Sequence, residues 1–256
     1  MDHHRLIHLY NAVARKWGRD APKLRDDLIS HEIVLGLVRE EAPETVLDIG
    51  CGDGNMCRAV APYTNQVVGV DLSEAMLEEA RSRSQTWKNI SYVHADFETL
   101  ATEFSAGSFS LCLALFAVCC AESAETLNTL FRGIAAVLRA NGRAIIQIPH
   151  PSDSFFRERS EWFRDVDRLD DYFAEAALVK RELRTTEDEW LLVGRYHYPL
   201  SIYVNAMIRA GLTIDRVIEP KASPEVVDRW PDLAREARLP SSMIFVANTM
   251  GDGKRG

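Results

Sequence analysis

Residues 46–55 read Val46-Leu47-Asp48-Ile49-Gly50-Cys51-Gly52-Asp53-Gly54-Asn55, an apolar run that enters a glycine-rich turn and then a helical pattern. Glycines at such a turn allow a sharp bend and leave main-chain N–H groups open to a ligand. Twenty-one residues past Gly50, a second apolar run, Val67-Val68-Gly69-Val70, ends in Asp71. A carboxylate at that point can accept hydrogen bonds from both hydroxyls of a ribose.

Outward from this pair the chain alternates short apolar runs with amphipathic segments. Thr45–Ile49, Val67–Val70, Ile90–Val93, Phe109–Leu115 and Arg143–Ile148 read as strands, and 54–61, 73–83 and 124–138 as helices. Ser73 is placed to cap its helix, and Asn141-Gly142 to stop the 124–138 helix. Strands apolar throughout, with helices between them, predict a doubly wound, mostly parallel α/β sheet of seven strands. Two N-terminal helices are expected, one from the spacing of Leu6, Leu9, Tyr10, Val13 and Trp17, the other over 28–38. From His150 to Tyr198 the rhythm breaks into a polar, aromatic stretch with a hairpin over 177–185 and 189–198, turned at Thr186-Glu187-Asp188. The core pattern resumes with a helix over 200–210 ended by Gly211, then strands over 213–218 and 243–248. The organisation expected is a helical lid over 1–40, a ligand-binding α/β unit over 41–149 and 199–250, a cap insertion over 150–198, and a disordered tail at 251–256.

Strand, glycines, helix, strand and acid suit two cofactor classes. A dinucleotide needs G-x-G-x-x-G with its pyrophosphate at the helix N-terminus. Here Asn55 stands where the third glycine belongs, and Asp48 lies two residues before the first. A carboxylate at Asp48 repels pyrophosphate and suits the ammonium of S-adenosylmethionine, so the sign of charge favours the sulfonium cofactor.

Val46–Asn55, 67–81 (VVGVDLSEAMLEEAR), 92–100 (YVHADFETL) and 136–149 (AVLRANGRAIIQIP) resemble the successive motifs of the class I S-adenosylmethionine-dependent methyltransferases, in their small-molecule branch. The likeness spans residues 40–150 and, more loosely, 195–220. It implies S-adenosyl-L-methionine as cofactor and S-adenosyl-L-homocysteine as product. It further implies Asp48, Gly50, Cys51, Gly52, Asp71 and Leu72 around the donor, Asp96 on the adenine amino group, and Phe97 and Met76 flanking the ring. Ala114 and Leu115 would lie beside the methionine portion, under a closing helix that carries Tyr10 and Trp17. The chain departs from the pattern at Cys119-Cys120, where the family often has two histidines, and at Ser110, where an Asp commonly opens the fourth strand. It lacks the Asn/Asp-Pro-Pro-Tyr/Phe device, which argues against an adenine-N6 or glutamine acceptor.

Two histidines are candidate general bases, because imidazole titrates near neutrality. His150 follows the fifth strand at the carboxyl edge, and His197 sits at the exit of the hairpin. Each has a plain alternative, ordering a turn or filling the cap. Cys119 and Cys120 read as small buried hydrophobes rather than a redox pair. His3, His4 and His8 read as a terminal segment, and no metal site is expected.

Of 256 residues, 46% are hydrophobic and 27% charged, an ordinary globular balance. The net charge of -8 and the absence of any long Lys/Arg run disfavour nucleic acid and anionic membranes as partners. The longest apolar run, 111–121, is too short to span a bilayer. Five cysteines without C-x-x-C spacing point to a reduced, cytoplasmic protein. The expected activity is methyl transfer to an O or N atom of a small metabolite, natural products included, by a monomer or homodimer. A non-catalytic S-adenosylmethionine-binding protein and a protein or peptide methyltransferase are the alternatives.

Overall fold

Two helices, α1 (Ile7–Trp17) and α2 (Arg25–Glu41), precede the first strand. The computed structural model describes residues 6–156, 158–167 and 169–249; His3, His4 and the tail 251–256 lie outside the described residues. There follow β1 (Thr45–Ile49), α3 (Asn55–Val60), β2 (Gln66–Asp71), α4 (Glu74–Arg83) and β3 (Ile90–His94). Next come a one-turn α5 (Leu100–Glu103), β4 (Phe109–Leu115), α6 (Ala124–Val137) and β5 (Leu138–Pro149). An excursion then forms β6 (Phe163–Asp165), β7 (Ala177–Arg184) and β8 (Trp190–His197). The chain closes with α7 (Leu200–Arg209), β9 (Leu212–Ile218), α8 (Pro224–Arg229) and β10 (Ser242–Thr249).

The main sheet has seven strands in the order β3-β2-β1-β4-β5-β10-β9. β1 to β5 pair in parallel, and β10 runs antiparallel to both β5 and β9. Both faces are covered, as the uninterrupted apolar strands require. Leu47 and Ile49 of β1 join one core with α6, while Val46 joins a second core with α2. α6 shows the cause plainly: Leu127, Leu130, Phe131, Ile134 and Val137 recur at three- and four-residue steps and all are buried. Each such burial contributes about 1.5–3 kcal/mol. Strand order reverses between β1 and β4, and a crevice opens there at the carboxyl ends of the strands.

Four expectations need correction. α6 ends at Val137, before Asn141-Gly142, because Leu138 pairs with Phe109 and starts β5. Asn141 (φ 58°) instead turns within an exposed bulge between the Leu138 and Arg143 pairings. α2 is longer than 28–38, and its Val34, Leu35, Leu37 and Val38 pack on the sheet. α2 is therefore a covering layer of the α/β unit, which narrows the candidate lid to α1 and the turn after it. The hairpin β7–β8 gains a third strand, β6, from the polar, aromatic stretch before it. Finally, residues 219–241 hold α8 and pack Ala222 and Leu233 against Trp162, buttressing the excursion from below. α1 lies on β8, where a Cβ at Gly194 would come within 3.1 Å of Leu9 Cδ1.

Candidate active site

The turn after β1 is held by main-chain bonds to β2: Gly50 N and Cys51 N both donate to Val70 O, at 2.8 and 3.1 Å. Gly50, Gly52 and Gly54 all take positive φ (69°, 54° and 73°). At Gly50 a Cβ would stand 2.7 Å from the Cβ of Ala117, so the cradle needs glycine for space as well as for angle. Asp71 clasps the turn from β2: its Oδ2 accepts from Gly52 N and its Oδ1 from Ser73 N, both at 2.8 Å. Ser73 also caps α4 by accepting from Met76 N at 3.1 Å.

A cavity of about 300 Å³ opens at this turn and runs to the inner face of β7 and β8. Its walls include Tyr10, Trp17, Asp48, Gly50, Cys51, Gly52, Asp71, Leu72, Met76, Asp96, Phe97 and Leu115. The structure thus brings together all but one of the residues marked for the donor. Ala114 is buried in the core beneath the wall. Asp96 lines the cavity and also caps a short 3-10 turn, its Oδ1 accepting from Glu98 N at 2.9 Å. α1 closes one side: Tyr10 Oη donates to Gly194 O at 3.0 Å, and Trp17 packs edge-on against Tyr10.

The two histidines stand apart from the cavity. His150 Nε2 lies 3.0 Å from Glu219 Oε1, its Nδ1 accepts from Ser152 N at 3.2 Å, and its ring stacks on Phe156. His197 is fully buried; its Nε2–H donates to Tyr172 O at 2.8 Å, and its ring packs between Phe155 and Tyr172. Burial also lowers its pKa. Among the described residues the histidine on the cavity wall is His31 of α2, whose pKa burial likewise lowers. Sequence reading missed it, since His31 sits mid-helix with no motif around it.

It also missed the ion pairs that tie α1 to the turn. Asp53 accepts from Arg19 N (2.9 Å) and Arg19 Nη1 (3.1 Å), with Arg58 on its other side. At the end of β4, Phe116 takes φ 60° while its N donates to Gln147 O at 2.8 Å. A non-glycine residue held there marks a wall whose shape is over-determined by its surroundings. Cys119 and Cys120 are free thiols on the same wall.

Residues 46–142 match a family model described as a methyltransferase domain. A malonyl-acyl-carrier-protein O-methyltransferase of Legionella pneumophila is 32% identical over 123 residues, 47% of this chain and 41% of that protein. A ubiquinone biosynthesis O-methyltransferase of Coxiella burnetii is 24% identical over 138 residues, 52% of this chain and 57% of that one. The chain thus matches these two curated relatives over less than two thirds of their lengths. The crystal structure of an S-adenosylmethionine-dependent methyltransferase from Mesorhizobium loti superposes with a TM-score of 0.65 at 25% identity, covering 86% of this chain and 97% of that one. Residues 46–142 thus match a methyltransferase domain, and the chain shares its fold with S-adenosylmethionine-dependent methyltransferases, the family it resembles.

The site fits that family's donor. Two carboxylates suit a ligand with an ammonium group and ribose hydroxyls, and the Gly50 cradle lets it lie against the main chain. Burial pushes Asp48 up to about 7, with Asp71 and Asp53 adding to the rise and the Cys57 thiol, 3.2 Å from Oδ2, opposing it. Two consequences follow from the sign. In the free protein the raised Asp48 contributes stability that is full below the unfolded value of about 4 and lost as pH rises through about 7. Binding of a cationic amine favours the carboxylate, so S-adenosylhomocysteine affinity should rise about tenfold between about pH 6 and about pH 8. Calorimetric titration across that range checks this, and Asp48→Asn should flatten the profile.

Proposed function

We propose that this chain transfers the methyl group of S-adenosylmethionine to an oxygen or nitrogen atom of a small molecule held under the β6-β7-β8 sheet. The observation that carries this reading is continuity: one cavity joins the Gly50 turn to the walls of β7 and β8. When bound, the donor supplies a methyl already activated on a sulfonium, so positioning and exclusion of water carry much of the catalysis. In this reading Asp71 takes the ribose hydroxyls, Asp48 the ammonium and Asp96 the adenine amino group. Phe97, Met76 and Leu72 flank the ring, and Leu115 faces the methionine portion. Tyr10 and Trp17 close over the ligand as a lid, with residues 150–198 as the substrate cap. His31, whose pKa burial lowers, lines the cavity and is able to accept a proton from an acceptor hydroxyl. The names of the Legionella and Coxiella relatives support an oxygen acceptor.

A cavity of about 300 Å³ walled by the excursion favours a metabolite over a nucleic acid or protein, and free cysteines suit the cytoplasm. No helix among the described residues is long and apolar enough to cross a membrane. We assign a monomer or homodimer. The test uses donor labelled in its methyl group, incubated with the protein and an extract of the source cells, then passed through a size-cutoff membrane. New label in a small compound in the filtrate is the expected result. Label retained on protein or nucleic acid would overturn the small-molecule assignment.

A further inference from the structure

Four guanidiniums, those of Arg25, Arg181, Arg195 and Arg235, are nine-tenths or more buried between the cavity and the excursion. Three of them are neutralised. Arg181 reaches Asp153 at 2.9 Å and Asp165 at 2.7 Å. Arg235 reaches Asp153 at 3.0 Å and Glu236 at 3.2 Å, and Arg25 reaches Asp26 at 3.0 Å. Arg195 has no carboxylate within 4.0 Å among the described residues. Among the described residues it makes a single hydrogen bond, Nη2 to Ser154 Oγ at 3.0 Å, and shares that hydroxyl with Arg181 Nη2 at the same distance. Its Nε is buried with no hydrogen-bond partner among the described residues.

Arg195 also lines the cavity. Cys119, in the turn after β4, lines the same cavity. Ala117, two residues before Cys119, is the residue that confronts Gly50. Arg195 and the Gly50 turn thus line one and the same cavity. Burial and the neighbouring Arg181 act against its charge and outweigh Cys119 and the more distant Asp153, lowering its pKa. A buried cation with no carboxylate in contact is expensive, and a substrate that brings one is bound strongly.

We infer that the acceptor molecule carries a carboxylate, and that Arg195 receives it on the β8 wall. One guanidinium matches one singly charged carboxylate, and its donors form a planar fork suited to two oxygens. A phosphate dianion would need a second cation, and the neighbouring Arg25, Arg181 and Arg235 are already committed to carboxylates. The inference rests on the methyltransferase reading and adds the acceptor's charge class to it.

The test separates the two. An extract of small molecules from the source cells is split by ion exchange into anionic, neutral and cationic pools before any reaction. Each pool is incubated with methyl-labelled donor and either the wild-type protein or Arg195→Gln, a variant that keeps a donor for Ser154 and loses the charge. S-adenosylhomocysteine affinity and thermal melting are recorded for both. The expected result is label transferred in the anionic pool, with kcat/KM reduced about 10- to 100-fold in Arg195→Gln and donor-site affinity unchanged. Arg195→Lys should recover part of the rate. Phosphatase treatment of the pool should leave the signal intact, and its loss would overturn the carboxylate assignment. Transfer in the neutral or cationic pool, or an undiminished rate in a folded Arg195→Gln, would overturn the inference and spare the methyltransferase reading. No transfer in any pool would overturn both. If Arg195→Gln does not fold, the pool labelled by the wild-type protein decides.

Discussion

Asp153→Ala should lower the stability of the protein by about 3–5 kcal/mol, seen as a fall in the urea midpoint. The side chain of Asp153 is fully buried, with Arg181 Nη1 at 2.9 Å, Arg235 Nη2 at 3.0 Å and Arg25 Nη1 at 3.7 Å. Removing it takes away the carboxylate that the three guanidiniums share, leaving the buried cluster one negative charge short beside Asp165, Glu236 and Asp26. Burial acts to raise the Asp153 pKa, but the three arginines outweigh it and hold the carboxyl at about 2. Because the folded value lies below the unfolded one, this contribution is present above about pH 4 and lost as pH falls through about 2. Acid unfolding of the wild type should steepen in that window, and Asp153→Ala should remove that component. A variant as stable as wild type would mean that the cap is not held by this cluster.

Gly50→Val should lower S-adenosylhomocysteine affinity on the order of 100-fold, since a displacement of about 1 Å in a binding loop has effects of that size. A branched residue strongly disfavours φ 69°, and its Cβ would lie 2.7 Å from Ala117 Cβ. Either the turn or the end of β4 must move, and both belong to the cavity wall. Gly36→Ala is the matched control, because a Cβ at that position in α2 meets nothing within 4 Å. It should bind as wild type and gain about 0.5–1 kcal/mol from helix propensity. Equal affinity in Gly50→Val would remove the turn from the account.

What the sequence made legible was local. The Gly50 turn, Asp71 and the strand–helix alternation lie within stretches whose pattern is set by neighbours one to four residues away. Ser73 as a cap is of the same kind: one side chain answers one main-chain N–H three residues on. The surroundings of other residues depend on distant partners. His150 is at the carboxyl edge of β5, as its position in the chain implies, but Glu219 draws its ring away from the cavity. His197 is set by Tyr172, a residue of the irregular stretch before β7. Arg195 reads as one more charge in a hairpin strand. Its unpaired state appears only once Asp153, Glu236 and Asp26 are seen to be taken by other arginines. Asn141-Gly142 misled because helix-stopping residues also suit a bulge, and the pairing of Leu138 with Phe109 decides between them.

The most direct test of the donor site is a calorimetric titration of the wild-type protein with S-adenosylhomocysteine and, separately, with NADH. The account predicts saturable one-to-one binding of S-adenosylhomocysteine, tighter toward alkaline pH, and no heat of binding with NADH. Saturable NADH binding with none for S-adenosylhomocysteine would contradict it, and the Asp48–Gly50–Asp71 cradle would then need a different ligand.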